Sequence, residues 1–280
     1  MINFNFHQHS LFSDGKMPPE EYVKQAIEMG FVAMGFTEHS PLPFETYYAL
    51  PQQREQEYMD ETNRLTRKYA DQIKLYRALE QDFIPGVTED FSSVSERLQL
   101  AYSIGSVHLV KPESSDDLWF IDGPERQKYD DGLDQFFDGD IRNAVTQYYH
   151  QMNQMIESQV FDVVGHLDKI KMHNAGRFFN PEDSWVQHLV DETLDLIKEK
   201  SLIVEVNTRG IYKKRADSYF PDHSTLKKVH QLKIPIIISS DAHLPEELNL
   251  GFAEARQHLL EFGFTTTLFF EGYSWIELPL

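Results

Sequence analysis

The chain has no cysteine, which excludes disulfides, thiolate nucleophiles and Cys-based zinc sites together. Any metal would have to be held by His, Asp and Glu. Positive charge is also scarce: 26 Lys and Arg stand against 45 Asp and Glu, a formal balance of −19 with histidine neutral. Such a surface repels a polyanion, so extended nucleic acid is not an expected partner, while a small anion in a locally basic pocket stays compatible. No run approaches the roughly 20 apolar residues that span a bilayer, and the N-terminus lacks the basic and apolar regions of a leader. The expectation is a soluble cytoplasmic protein with no membrane partner. No feature specifies an oligomeric state.

What is present is an alternation of strand-like and helix-like segments. The run Ile2, Phe4, Phe6 opens the chain, and "MPPEEYVKQAIEMG" follows with Pro18 and Pro19 placed for a helix start and Gly30 as the stop. "FVAMGFT" reads as a buried strand, "IKLYRALE" as a third, and "RLQLAYSIGSVH" ends in the fourth; "FDVVGH", "SLIVEVN" and "IPIIISSDAH" supply the next three, and "TTTLFF" an eighth, terminal one. Helical patterns run from Gln52 to Tyr69, Trp185 to Lys200 and Glu246 to Phe262. Strands alternating with helices imply a parallel sheet with crossover helices. Seven or eight such units in 280 residues favour a closed or nearly closed barrel over an open sheet. The expected organisation is one barrel domain over 1–280. Residues 111–140, acidic and aromatic with several Gly and Pro, are too long for a plain strand-to-helix loop and form a possible lid or insert.

Where each apolar run stops, a metal-competent or hydrogen-bonding residue stands: His7 and His9, Glu38 and His39, Glu80, His108, His166, Asn207, then Asp241 and His243. On a strand, His7 and His9 point to one side, because side chains repeat with period two. Taken singly, each residue has a local role open to it; Asp241, for instance, could cap a helix. Taken together these alternatives fail, because a ligand type would have to fall at every strand end while the strand interiors stay free of them. In a parallel barrel the strand ends converge on the face that carries active sites. The other histidines, His150, His173, His188, His223, His230 and His258, sit in helical patterns or loops and read as ordinary residues. Several His and carboxylate ligands without cysteine suit zinc, manganese or iron with positions left for water and substrate. Two or three such ions acidify a water and clamp phosphoryl oxygens, so hydrolysis is the expected chemistry.

The motifs "HQHSLFSDG", "GFTEHSPLP", "ALEQDF", "GSVH", "VVGHLD", "VEVN" and "SSDAH" resemble, in order, those of the polymerase and histidinol phosphatase (PHP) family, with the nearest likeness to its monofunctional histidinol-phosphate phosphatases. The resemblance implies a distorted (β/α)7 TIM-like barrel, its active site at the C-terminal strand ends, holding two to three divalent ions. It implies His7, His9, Glu80 and Asp241 at the first metal, with Glu80 bridging to a second held by His108 and His166. The third would take Asp14, His39 and His243; many relatives place histidine where this chain has Asp14. A metal-bridging hydroxide would attack phosphorus, with Glu80, Asp241 and His243 as the catalytic set. For the phosphate, the basic run "NTRGIYKKRAD" and its neighbourhood offer Arg209, Arg177, Lys214 and Arg215. Phe44, Glu45 and the Trp119 region are candidates for the rest of the pocket. The expected activity is hydrolysis of a small phosphorylated substrate, L-histidinol phosphate, in histidine biosynthesis. A phosphodiesterase or exonuclease acting on nucleotides or short oligonucleotides is a second reading, and a catalytically silent metal-binding module a third.

Overall fold

The structure is a computed structural model describing residues 2–280. In chain order its strands are β1 (Phe4–Asn5), β2 (Ala33–His39), β3 (Lys74–Asp82), β4 (Tyr102–Ser106), β5 (Leu109–Val110), β6 (Trp119–Phe120), β7 (Val163–Val164), β8 (Ile203–Asn207), β9 (Ile236–Ser239), β10 (Thr266–Phe270) and β11 (Trp275–Pro279). Seven of them form one parallel sheet in the order β1-β2-β3-β4-β7-β8-β9. The sheet curls until its edges meet at the C-terminal end, where the His9 amide donates to the Ala242 carbonyl at 2.8 Å beside a parallel bridge from Gln8 to Ala242. The result is a nearly closed barrel.

Connecting helices include α1 (Pro19–Glu28), α2 (Glu55–Lys68), α3 (Phe91–Leu98), α4 (Arg126–Phe137), α5 (Ile141–Ser158) and α6 (Ser184–Glu199). The double proline starts α1 as expected, and Gly30 at φ +76° takes the left-handed turn that ends it. The pattern from Glu246 to Phe262 is interrupted: Gly251, at φ +79°, separates a short turn at Pro245–Glu247 from a helix over Phe252–Phe262. Among the described residues no helix is long and apolar enough to cross a membrane.

Alternation along the strands fills the interior in layers. On β3, Tyr76, Ala78, Glu80 and Asp82 share one side; on β8, Ile203, Glu205 and Asn207; through β9, Ile237, Ser239 and Asp241. Apolar members sit at the N-terminal end and polar members at the C-terminal end. Gly35 is required here, since a Cβ would lie 1.7 Å from the Tyr102 hydroxyl, which donates to the Phe6 carbonyl at 2.7 Å. "TTTLFF" is not an eighth barrel strand. It forms β10 and pairs antiparallel with β11; β10 supplies Phe269 and Phe270, and β11 Trp275, to an aromatic cluster with Phe4, Phe6, Tyr76 and Tyr102 that fills the N-terminal end. Its ladder partner is β11 and not a barrel strand, and its rings close the barrel where β1 and β9 do not pair.

The segment 111–140 contains β6 and α4. β6 pairs with β5 as an antiparallel hairpin, and α4 packs against it. Trp119 is the anchor: its indole donates to the Tyr129 carbonyl at 3.0 Å, and it packs against Tyr129 and Phe137. Gly132 in α4 admits that ring, because a Cβ there would fall 2.2 Å from it.

Candidate metal centre

Glu80 opens the polar layer of β3, is 1% exposed, and divides its two oxygens between two sets of histidines. Oε2 lies 3.3 Å from His7 Nε2, 3.5 Å from His9 Nε2 and 3.0 Å from His39 Nδ1. Oε1 lies 2.8 Å from His166 Nε2 and 3.4 Å from His108 Nε2, and accepts from the Ser106 hydroxyl at 2.7 Å. Asp241 Oδ1 stands 3.3 Å from His9 Nε2, while Asp14 Oδ1 stands 3.0 Å from His243 Nε2 and 3.7 Å from His39 Nε2. Three groups of potential ligand atoms each fall within 4.8 Å: His7, His9 and Asp241; His39, Glu80 and His108; and His9, Asp14, His39 and His243.

The arrangement fits divalent ions on its own chemistry. A tetrahedral site with metal–nitrogen distances of about 2.0–2.1 Å sets neighbouring donors about 3.3–3.4 Å apart. The His7–His9 and His108–His166 Nε2 pairs are each 3.2 Å apart, with carboxylate oxygens at 2.8–3.5 Å. Imidazole nitrogens that face one another converge when a shared cation sits between them. The carboxylates around His7 also favour positive charge at this place. Burial opposes charge on His7, yet Glu205, Glu80 and Asp241 hold its pKa well above the usual histidine value. Burial pushes the Glu80 carboxyl up, and His108, His7 and His39 pull it well below its usual range.

Carboxylates behind the ligands fix the rings. His7 Nδ1 bonds Glu205 Oε1, and Glu205 Oε2 accepts from the His166 amide at 2.7 Å. Asp82 faces His108 Nδ1 at 3.3 Å, accepts the His108 amide at 3.1 Å, and takes the Tyr48 hydroxyl at 3.2 Å. A carboxylate on Nδ1 leaves Nε2 as the ligand atom and raises its basicity. Glu205 corrects the expectation that strand interiors carry no such groups: it lies in the middle of β8, fully buried, and the charge inside "LIVEVN" was the readable sign. Glu38 turns away from the ligands; it accepts from the Ser10 amide at 2.9 Å and from the Ser10 and Ser13 hydroxyls, pinning the loop that carries Asp14. Asn207 is also a support, donating to Glu205 at 3.2 Å and Asp241 at 3.3 Å. His166 and Asp241 adopt left-handed backbone, φ +21° and +49°, at a cost of about 1–3 kcal/mol each. Neither is glycine, and both are turned toward the cage.

A cavity of about 310 Å³ opens above the centre, at the lower end of the range for small-ligand sites. Asp14, His39, His108, Asp241 and His243 form its floor, and Lys16, Lys169, Arg209, Lys213, Arg215, Tyr47, Tyr48, Phe120 and Asp122 contribute walls. The basic-loop expectation is thus corrected in part. Arg177 does not line the cavity; it pairs with Asp130 of α4 through two bonds of 2.7 Å at the surface. Lys214 is also outside the lining, because a left-handed residue at φ +55° turns the loop and presents Lys213 and Arg215 instead. Arg209 reaches the cavity but is 6% exposed, held behind the ligands by the Asp241 carbonyl, with His243 Nδ1 at 2.8 Å. Phe44 and Glu45 line a separate hollow, and Trp119 points into the packing under α4. None of the six histidines set aside in the sequence joins a ligand group among the described residues.

Lys169, Asp122, Tyr47 and Tyr48 are cavity residues that sequence reasoning missed. Lys169 follows His166 by three residues, inside "HLDKIKM". A lysine that is 3% exposed needs an anionic neighbourhood; its ammonium is 3.5 Å from Asp122 and 3.7 Å from Asp241.

The PHP domain model matches residues 5–209. A probable histidinol-phosphatase of Deinococcus radiodurans is 27% identical over 253 residues, 90% of this chain and 90% of the relative. The histidinol-phosphatase of Bacillus subtilis is 25% identical over 245 residues, 83% of this chain and 89% of the relative. Among solved structures, a putative histidinol phosphatase of Listeria monocytogenes superposes with a TM-score of 0.77 at 21% identity, covering 90% of this chain and 99% of that one. The histidinol phosphate phosphatase of Lactococcus lactis, complexed with zinc, L-histidinol and phosphate, gives 0.69 at 22% identity and covers 98% of both. At these identities the two structures speak to the fold.

Proposed function

The chain belongs to the PHP domain family, and on that premise we propose that it is a metal-dependent phosphomonoesterase hydrolysing L-histidinol phosphate to L-histidinol and phosphate. The carrying observation is Glu80, one buried carboxylate serving two histidine sets beneath a cavity with cationic walls. His7, His9, Glu80 and Asp241, then His108 and His166, then Asp14, His39 and His243 would hold the ions, with His9 and His39 close to more than one group. When bound, such ions supply an acidified water and Lewis-acid contacts to phosphoryl oxygens.

The protein's own residues supply the remainder. Glu205 and Asp82 keep the imidazoles oriented. Lys169 makes no hydrogen bond shorter than its 3.5 Å approach to Asp122, so its ammonium is free to take a phosphoryl oxygen, and Lys213 and Arg215 line the same cavity. Residues 1–280 act on this reading as one catalytic unit, with 111–140 as an insert over the mouth. The named relatives, which the chain matches over most of their length, support the substrate.

The test is phosphate release from a panel of L-histidinol phosphate, 4-nitrophenyl phosphate, a nucleoside bisphosphate and a short oligonucleotide. Histidinol phosphate should give the highest kcat/KM. Preference for the oligonucleotide would make the protein a phosphodiesterase instead, against the repulsion expected from a net charge of −19.

A further inference from the structure

The cavity lining mixes cations with other groups. Lys16, Lys169, Arg209, Lys213 and Arg215 contribute positive charge, while Tyr47, Phe120 and Asp122 add aromatic and acidic surface. Of the three carboxylates in the lining, Asp14 and Asp241 belong to the ligand groups, and Asp122 does not. Asp122 comes from the insert, directly after β6. The preceding Ile121 fixes it by donating its amide to the His108 carbonyl at 3.1 Å. Its side chain is 9% exposed, with Oδ2 3.5 Å from the Lys169 ammonium, and its Oδ1 is shut off from solvent with no hydrogen-bond partner. An ionised carboxylate oxygen in that condition is costly unless a donor arrives.

We propose that Asp122 is a specificity-determining residue that accepts a hydrogen bond from a cationic amine carried two carbons from the phosphate ester oxygen of the substrate. The inference rests on the histidinol phosphate reading and goes beyond it by assigning the amine to one residue of the insert. Its placement suits that chemistry. Lys169 marks the phosphate end, and Asp122 is its neighbour, so an ammonium separated from the phosphate by a short chain meets Asp122 while the phosphate meets Lys169. The imidazole then falls toward Tyr47 and Phe120, whose rings are 6.3 Å apart.

The test uses the metal-loaded enzyme and two esters, L-histidinol phosphate and its analogue lacking the amine. Wild-type enzyme should prefer the amine-bearing ester by about ten- to hundredfold in kcat/KM, the range commanded by a hydrogen bond to a charged group. In Asp122→Asn that ratio should fall at least about tenfold, mainly through KM, and Asp122→Glu should restore part of it. Metal content of each variant, measured on the same sample, reports whether the centre is intact. An unchanged ratio in Asp122→Asn with metal retained would overturn the proposal. So would a wild-type enzyme that hydrolyses both esters equally well, a result that needs no variant to fold. Failure of the underlying reading looks different: wild-type enzyme with bound metal would then turn over neither ester.

Discussion

The barrel rim and the insert over residues 111–140 face each other across one cavity, and they are held by different forces. His39 and Glu80 stand on β2 and β3, and the other rim ligands follow the ends of strands whose parallel ladders are continuous from β1 to β9, with buried carboxylates at Glu205 and Asp82 behind the imidazoles. The insert is held chiefly by apolar packing, with Trp119 between Tyr129 and Phe137 over Gly132. Ligand geometry tolerates little displacement, so it belongs on backbone ladders. Recognition of the organic part of a substrate tolerates more and can be carried by an added segment. The difference teaches that chemistry and selection are separable in this molecule.

The sharpest way to break that division is at the rim. Glu80→Gln removes a charge shared by two histidine sets, and turnover should fall by about a thousandfold or more, with bound metal reduced. Retained activity would mean that the rim does not carry the chemistry. The insert should behave otherwise. Trp119→Ala deletes a fully buried ring, at a cost of about 3–5 kcal/mol in stability. It should raise KM for histidinol phosphate severalfold or more while bound metal stays at the wild-type level; loss of metal would show that the two regions are not independent. The smallest effect belongs to Arg177→Ala. The pair lies at the surface with Asp130 half-buried, and surface pairs of this kind contribute about 0–1 kcal/mol. kcat/KM should stay within about twofold of wild type, and a large loss would return Arg177 to the phosphate site.

The rim was legible in the sequence because strand ends can be located from apolar runs, and parallel strands bring those ends to one place. That reasoning reached His7, His9, Glu80, His108, His166, Asp241 and His243 without coordinates. It could not see that "TTTLFF" closes the opposite end, because strand periodicity carries no information about pairing partner. Side-chain direction was hidden in the loops. Arg177, Lys214 and Lys169 all lie in loops that follow strand ends, yet the first turns to Asp130, the second is carried past the cavity by a left-handed turn, and only the third lines the cavity. Asp122 was hidden for a further reason. It sits among many acids in 111–140, and only the hairpin that folds β6 back onto β5 singles it out.

The central claim is that side chains from position 7 to position 243 form one cage for divalent ions. Elemental analysis of the purified protein, per chain and without added metal in the buffer, tests it most directly. The account predicts two to three zinc, manganese or iron ions per chain, removed by a chelator together with phosphatase activity. A chain that hydrolyses histidinol phosphate with fewer than one such ion in ten molecules would contradict it.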